Sequence, residues 1–428
     1  MAGMEQEFKT VMAQLTGPGA PWEVLRDEHD IAYYKLAPEN LVQAFEVARE
    51  HGDREFLVYE GERRSFARLM AEADAMAAAL QAQGIKPGDR VGLAMRNYPE
   101  WMTVFIAVVT IGAVIVPINS WGKPADIIHA LGDADVRLAV LDQARYSGVA
   151  DWLEANDVAA VIARPEDADD PLSLTTFVAR FQGASPPQVA IDGEDLALIM
   201  YTSGTSGAPK GAASTHRAMC QALYNFEFAA AAAAMCNMDR ISAMLERGYE
   251  STSLLAVPLF HVSGCHAQFL TNLRGGRRIV MMYKWDVGQA LEAIEQERIT
   301  AIAAAPSMVL DLLESPGFDR ADTSSLFSIG VGGGATPRRA RELIEAKMPT
   351  NFSGTGWGMT ETNAQGASLT GKAFGARPGS AGLPHPIVDI RICDEGGEEA
   401  TAGETGEIWV RSVCNIREYW HRPEANAT

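Results

Sequence analysis

Residues 196–211 read LALIMYTSGTSGAPKG. Leu196 to Tyr201 form an apolar run of strand type, and the residues after it make a loop dense in small and hydroxyl-bearing side chains. Gly204, Gly207 and Gly211 permit tight turns and close approach of backbone to a ligand. Thr202, Ser203, Thr205 and Ser206 add hydroxyl donors, and Lys210 adds one cation. A loop of this make-up can wrap phosphates with its backbone N–H groups. It is not the ordinary nucleotide P-loop, because GxxxxGK[ST] is absent, and it is not a dinucleotide fingerprint, because GxGxxG is absent. A lone Ser/Gly loop is usually a surface turn; the density of this one, directly after an apolar strand, favours a phosphate site.

Outward from this stretch, helical and strand patterns alternate, the signature of α/β architecture. Ser65–Gln83 has a helical apolar period ending at Gly84. Asp89–Met95 reads as a strand, Asn97–Ile111 as a helix, and Ala113–Pro117 and Val136–Leu141 as strands. The apolar window 103–118, TVFIAVVTIGAVIVPI, is shorter than the roughly 20 residues that span a bilayer, and it reads as a buried helix running into a buried strand. Residues 165–187 read as a surface connection. Beyond the loop, strands are expected over Thr252–Pro258, Ile299–Ala305 and Leu326–Val331. Helices are expected over Ala229–Ala234, Val287–Gln296, Ser307–Glu314 and Pro337–Lys347. From about Gly382 two β-like runs, IVDIRICD and GEIWVRS, suggest a small β-unit.

The chain has 428 residues, which suggests two or three units or one composite domain. Its net charge of −19 makes a polyanion such as DNA a poor partner. Any anionic substrate must be met by local donors, a metal ion or a few cations. Five cysteines without CxxC spacing point to neither a disulfide framework nor a zinc site. No signal peptide or transmembrane segment is read, so a cytoplasmic location is expected.

YTSGTSGAPKG resembles the phosphate loop of the acyl-adenylate-forming enzymes: acyl- and aryl-CoA synthetases, luciferases and peptide-synthetase adenylation domains. Four further segments agree in order: VPLFHVSG (257–264), VGGGATP (331–337), WGMTET (357–362), and GEIWV (406–410) with YWHRPE (419–424). The resemblance runs from about residue 40 to the end of the chain. It implies the large N-terminal domain of the adenylate-forming fold, with two helix-flanked β-sheet subdomains, 1–190 and 191–385, and the start of a small β-barrel at 386–428. It also implies a C-terminal domain that this chain does not contain, with a ribose-gripping aspartate and a catalytic lysine; a truncated chain is therefore expected.

The implied reaction is attack of a carboxylate on the α-phosphorus of ATP, giving acyl-AMP, followed by thioester formation with coenzyme A. By resemblance, Thr202, Lys210, Thr360 and Glu361 form the catalytic set. ATP or AMP is held by Thr202–Gly207 and Lys210, by Gly333, Gly334 and Ala335, and by Trp357, Gly358, Met359 and Thr360. The acyl group meets His261, Val262, Gly264, Cys265, Gly332 and Gly333. Glu361 offers the hard oxygen that Mg²⁺ prefers, with substrate phosphates completing the shell. The blander readings stay open here: Trp357 as a core side chain, Glu361 as solvated surface, and His261 as a half-buried hydrogen-bonded histidine. WGMTET and the apolar CHAQFL favour a fatty or other hydrophobic acid; an aryl-CoA ligase and a carrier-protein adenylation domain are the alternatives within the fold. A non-catalytic nucleotide- or acyl-binding module is the alternative of another class. A homodimer is compatible with the reading.

Overall fold

The computed structural model describes residues 2–202, 209–348, 350–377 and 379–427. The chain divides into two compact units interleaved in sequence. One comprises Met1–Ala37, Cys220–Leu254 and Trp285–Asn415; the other comprises Pro38–Met219, Leu255–Lys284 and Ile416–Thr428.

The second of these units is built on a seven-stranded sheet. Its strands run in the order Glu418–Tyr419, Lys210–Thr215, Leu196–Thr202, Val114–Pro117, Arg90–Ala94, Val136–Asp142, Ala159–Ala163. The last five are mutually parallel, and the first two are antiparallel additions. Every residue of Val114–Pro117 is buried, as a central parallel strand covered on both faces requires. The apolar window resolves into the helix Pro99–Thr110, a turn at Gly112 and that strand. Gly112 has φ +71°, a conformation that a side chain resists. Pro99 opens the helix where a missing N–H costs nothing. Trp101 is fully buried and stacks on Phe105 at 5.4 Å, with Phe269 edge-on to both. Truncating such an aromatic to alanine typically costs about 3–5 kcal/mol. The helix Phe66–Ala82 starts where Ser65 accepts a hydrogen bond from the Arg68 N–H.

Strand order reverses at Arg90–Ala94: the next strand in sequence lies on one side of it and the one after that on the other. In open α/β sheets the crevice at the carboxyl ends of the strands beside such a switch is where ligands bind.

In the other unit the strand order is Leu383–Pro384, Gly366–Thr370, Gly354–Gly358, Ser328–Val331, Ala301–Ala304, Thr252–Leu255. The last four are parallel, and Gly366–Thr370 and Leu383–Pro384 turn back antiparallel. The helices Val287–Glu297, Pro306–Glu314 and Arg338–Lys347 alternate with the parallel strands. The β-runs near the end of the chain form an antiparallel ribbon, Val388–Cys393 with Glu407–Ser412, and no closed barrel is seen among the described residues. Tyr419 and Glu418 pair instead with Ala212 and Ala213 on the seven-stranded sheet. All five cysteines are free thiols. No helix among the described residues is long and apolar enough to cross a membrane.

Candidate active site

The two ends of the phosphate-loop motif are strands of one hairpin. Leu196–Thr202 and Lys210–Thr215 run antiparallel, with Thr202 directly opposite Lys210. Ser203, Gly204, Thr205, Ser206 and Gly207, assigned to the phosphates from sequence, lie outside the described residues. The Thr202 hydroxyl donates to the Lys210 carbonyl at 3.5 Å. The Lys210 ammonium sits 5.0 Å from the centre of the Tyr419 ring, a cation–π arrangement. Gly211 is required by packing: a Cβ there would lie 2.8 Å from Ile199 and 3.3 Å from Trp420. The Trp420 N–H donates to the Gly211 carbonyl at 2.7 Å. Asp133 joins the two motifs from the side, accepting from the Tyr201 hydroxyl at 2.8 Å and from Arg422 at 2.7 Å. Burial, with the Asp133 charge beside it, pushes the Tyr201 phenol well above its ordinary range, so it remains a donor. YWHRPE thus packs directly on the hairpin, a pairing between segments far apart in the chain that no sequence periodicity signals.

VPLFHVSG in the same unit forms a compact loop opening a short helix. His261 precedes the turn Val262–Gly264, and its carbonyl accepts from the N–H groups of Gly264 and Cys265 at 3.0 and 2.8 Å. Gly264 is there because the loop folds back on itself: a Cβ would lie 2.2 Å from the Pro258 carbonyl oxygen. The buried Asn97 pins the loop's entry, donating to the carbonyls of Val257 and Met282 and accepting from the Leu259 N–H at 3.0 Å. His261 is exposed at the surface of this loop, beside the buried Phe260 ring at 4.5 Å, and the surrounding protein lowers its pKa by partial desolvation. It is therefore a neutral imidazole near pH 7. Cys265 is fully buried, and burial raises its thiol pKa well above the ordinary value, which leaves it unreactive.

The structure brings VGGGATP and WGMTET, the motifs expected from sequence on the adenine side, together in the first unit. VGGGATP follows the carboxyl end of Ser328–Val331, and MTET follows the carboxyl end of the neighbouring parallel strand Gly354–Gly358. The Thr336 and Thr355 hydroxyls lie 2.8 Å apart, and Thr355 also donates to the Val331 carbonyl at 3.1 Å, which locks the two segments together. Gly333 has φ +75°, and a Cβ at Gly332 or Gly333 would meet nothing within 4 Å. Gly334 and Ala335 are exposed on the same turn. Beside these glycines the backbone is open to a ligand.

Trp357 is half-buried in its strand, opposite Ala367. Its indole lies across Gly366, where a Cβ would sit 2.4 Å from indole Cε3 and 2.5 Å from the Trp357 carbonyl oxygen. Glycine at 366 therefore sets the attitude of the aromatic face. Gly358 is required in the same way by the Ala364 carbonyl, 2.4 Å from its would-be Cβ. Met359 is exposed; Thr360 and Glu361 are half-buried in the single 3₁₀ turn Thr360–Thr362. The buried Thr362 hydroxyl receives the Met359 N–H at 3.2 Å and donates to the Gln365 carbonyl at 2.5 Å, closing the turn. Ala364 then adopts φ +65°, a left-handed conformation uncommon for alanine. No cluster of three metal-ligating side chains occurs among the described residues. A lone carboxylate beside phosphates is nevertheless how Mg²⁺ is usually taken up, so Glu361 fits that ion as a partial ligand.

Sequence reasoning missed Arg96, which follows the carboxyl end of Arg90–Ala94 at the switch point. Its guanidinium lies 3.2 Å over the Trp121 ring, and its Nε and Nη1 are buried without a hydrogen-bond partner. Burial and then the nearby Arg145 cation lower its pKa. The only signal in the sequence was an arginine at a strand end, which is too common to single out.

Residues 44–420 match the AMP-binding enzyme family. The chain belongs to the AMP-binding enzyme family. Among curated relatives of this AMP-binding enzyme, a feruloyl-CoA synthase of Amycolatopsis sp is 31% identical over 365 residues, covering 85% of this chain and 68% of the relative. 4-Coumarate–CoA ligase 2 of Nicotiana tabacum is 26% identical over 389 residues, covering 90% of this chain and 69% of the relative. Among solved structures, the N-terminal domain of FACL13 from Mycobacterium tuberculosis superposes with a TM-score of 0.76 at 25% identity, covering 91% of this chain and 93% of that one. The anthranilate CoA ligase AuaEII, in complex with anthranoyl-AMP, shares the fold with a TM-score of 0.77 at 23% identity, covering 92% and 73%. Mixed α/β architecture of the adenylate-forming N-terminal domain is thereby established.

Proposed function

We propose that this enzyme activates a hydrophobic carboxylic acid to its acyl-adenylate at the expense of ATP and passes the acyl group to coenzyme A. The class, an AMP-forming acid–CoA ligase, follows from family membership together with CoA ligase relatives. The observation that carries the nucleotide half is the coupled pair of strand ends. The strand that leads into the open glycine turn and the strand that carries Trp357 are neighbours, tied by the Thr336–Thr355 contact, with Thr360 and Glu361 one turn further on.

In this reading the Trp357 indole stacks on adenine, and the open backbone of Gly332–Gly334 admits the nucleotide. Lys210 and the hydroxyl of Thr202, at the root of the phosphate hairpin, hold the leaving pyrophosphate. Such a site works by positioning and by neutralising developing charge. Mg²⁺ bound through Glu361 and substrate phosphates would supply further neutralisation. Neutral His261 and Val262 flank the acid, with Gly264 and Cys265 shaping the loop behind them.

Among acids, an aryl or arylpropenoate substrate takes first place, because the feruloyl- and coumarate-handling relatives align over most of the chain. A fatty acid is the second reading, favoured by the similarity to a fatty acyl CoA synthetase of Mycobacterium tuberculosis, 25% identical with a TM-score of 0.76. The test is acid-dependent exchange of pyrophosphate into ATP over a panel of ferulate, 4-coumarate, benzoate and short to long fatty acids, followed by CoA thioester formation. Exchange restricted to fatty acids would overturn the aryl assignment; none with any acid would overturn the enzyme reading.

A further inference from the structure

Beneath the turn that carries Thr360 and Glu361 lies a chain of buried polar side chains centred on Asn225, in the long helix His216–Met235. Asn225 is fully buried and uses its whole amide. Its Oδ1 accepts from the Tyr34 hydroxyl at 2.7 Å. Its Nδ2 donates to Gln365 Oε1 at 2.5 Å and faces His385 Nδ1 at 2.7 Å. Because Nδ2 can only donate, His385 Nδ1 is the acceptor, and the imidazole proton sits on Nε2, from which it reaches the Ser368 hydroxyl at 2.9 Å. Burial holds His385 neutral, with its pKa down to about 4, and pushes the Tyr34 phenol well up, so both keep these roles at neutral pH.

Two of the three arms end on the nucleotide-side motif. Gln365 closes the segment that begins at Trp357. Its carbonyl receives the Thr362 hydroxyl, and its Nε2 donates to the Asn363 carbonyl at 3.3 Å. Ser368 lies on the strand paired with Gly354–Gly358, opposite Gly356 and one residue from the partner of Trp357. A segment with left-handed backbone at Asn363 and Ala364 is not held by its own local preferences. It needs long-range anchors, and Asn225 supplies them from a position 140 residues away in sequence.

We propose that Asn225 is a positioning residue for the adenylate site: through Gln365 and through neutral His385 it fixes the height and register of residues 357–365, and so where Trp357, Thr360 and Glu361 present themselves to nucleotide and metal. The proposal rests on the reading of that turn as the nucleotide site. The third arm, Tyr34, lies in the strand Ala32–Tyr34 and serves as an internal control, since Tyr34→Phe removes a buried hydrogen bond from the same amide while keeping its contacts to Gln365 and His385.

The experiment compares Asn225→Leu, Tyr34→Phe and the unchanged protein by two readouts: backbone hydrogen exchange across 357–365 without ligand, and affinity for an α,β-methylene ATP analogue with magnesium. Asn225→Leu is expected to speed exchange across 357–365 and to weaken analogue binding about tenfold, the scale of one lost positioning hydrogen bond. Tyr34→Phe is expected to lower thermal stability while leaving both readouts near those of the parent. Asn225→Ser, read the same way, replaces the leucine variant where that one does not fold. Unchanged exchange across 357–365 in the Asn225 variant overturns the proposal whatever the nucleotide does, as does an equal effect from Tyr34→Phe. An unchanged protein that binds no analogue overturns the nucleotide reading instead, and faster exchange in the variant then still supports the anchoring.

Discussion

Replacing Gly366 by alanine should disable the proposed nucleotide site without replacing any residue assigned to chemistry. The added Cβ would lie 2.4 Å from Trp357 Cε3, 2.8 Å from Cζ3 and 2.5 Å from the Trp357 carbonyl oxygen. Ordinary contact begins near 3.4 Å, so ring and backbone together must give by about 1 Å. A misplacement of that size at a positioning element costs on the order of 10²-fold, or about 2.7 kcal/mol at 1.36 kcal/mol per decade. The same figure falls within the ~1–3 kcal/mol assigned to stacking one base on an aromatic face, so full loss of the Trp357 platform and a 1 Å shift predict one outcome. Overpacking should also lower stability by ~1–3 kcal/mol, so thermal melts must show that the variant is folded at the assay temperature. The assay is pyrophosphate exchange with ATP and acid varied separately: KM for ATP should rise steeply while KM for the acid moves little. Trp357→Ala should give a comparable ATP defect, and adding Gly366→Ala to it should cost less than it does in the parent, because the clash with the ring is then gone while the 2.5 Å contact with the carbonyl oxygen of residue 357 remains. A Gly366→Ala enzyme with parental ATP kinetics would show that the indole is not the adenine platform.

Glu361→Gln should cut pyrophosphate exchange about 10²-fold, most sharply at limiting magnesium, while the melting temperature stays put; unchanged exchange under those conditions removes Glu361 from the metal site. Gly264→Ala drives a Cβ to 2.2 Å from the Pro258 carbonyl oxygen, a backbone atom that cannot swing aside. Differential scanning calorimetry should therefore report a destabilisation of ~1–3 kcal/mol or more, and an unaffected melt would contradict the described loop. His216 and His385 are both buried with pKa values lowered by desolvation to about 4, against 6.5 when exposed. The unfolded chain thus binds more protons, and their stabilisation, present in full above pH 6.5, is lost as pH falls towards 4. Each site is worth up to roughly 3 kcal/mol across that window. Urea midpoints from pH 7.5 to 4.5 should fall accordingly and fall less in His385→Gln; a flat profile in the parent would refute the burial.

Much of the candidate site was legible because it is written in contiguous residues. YTSGTSGAPKG, VGGGATP and WGMTET each carry their glycines and hydroxyls within a dozen positions, the last with the Glu361 carboxylate, and Ser65, Pro99 and Gly112 mark element ends by chemistry that acts over one turn. The stretch Lys210–Thr215 escaped notice as a strand because KGAAST has little intrinsic β-preference. It is extended only because Leu196–Thr202 offers it a ladder on one side and Glu418–Tyr419 on the other. Likewise Asn97 reads from sequence as a helix start, and only the folded chain shows its amide holding Val257 and Leu259. The attitude of Trp357 across Gly366, the Thr336–Thr355 lock and the Asn225 network join residues 9, 19 and up to 191 positions apart. Propensity and motif chemistry act through neighbouring dihedrals and so survive in a linear reading. Strand register, helix docking and the satisfaction of buried amides depend on which distant segments meet, and only the tertiary structure decides that.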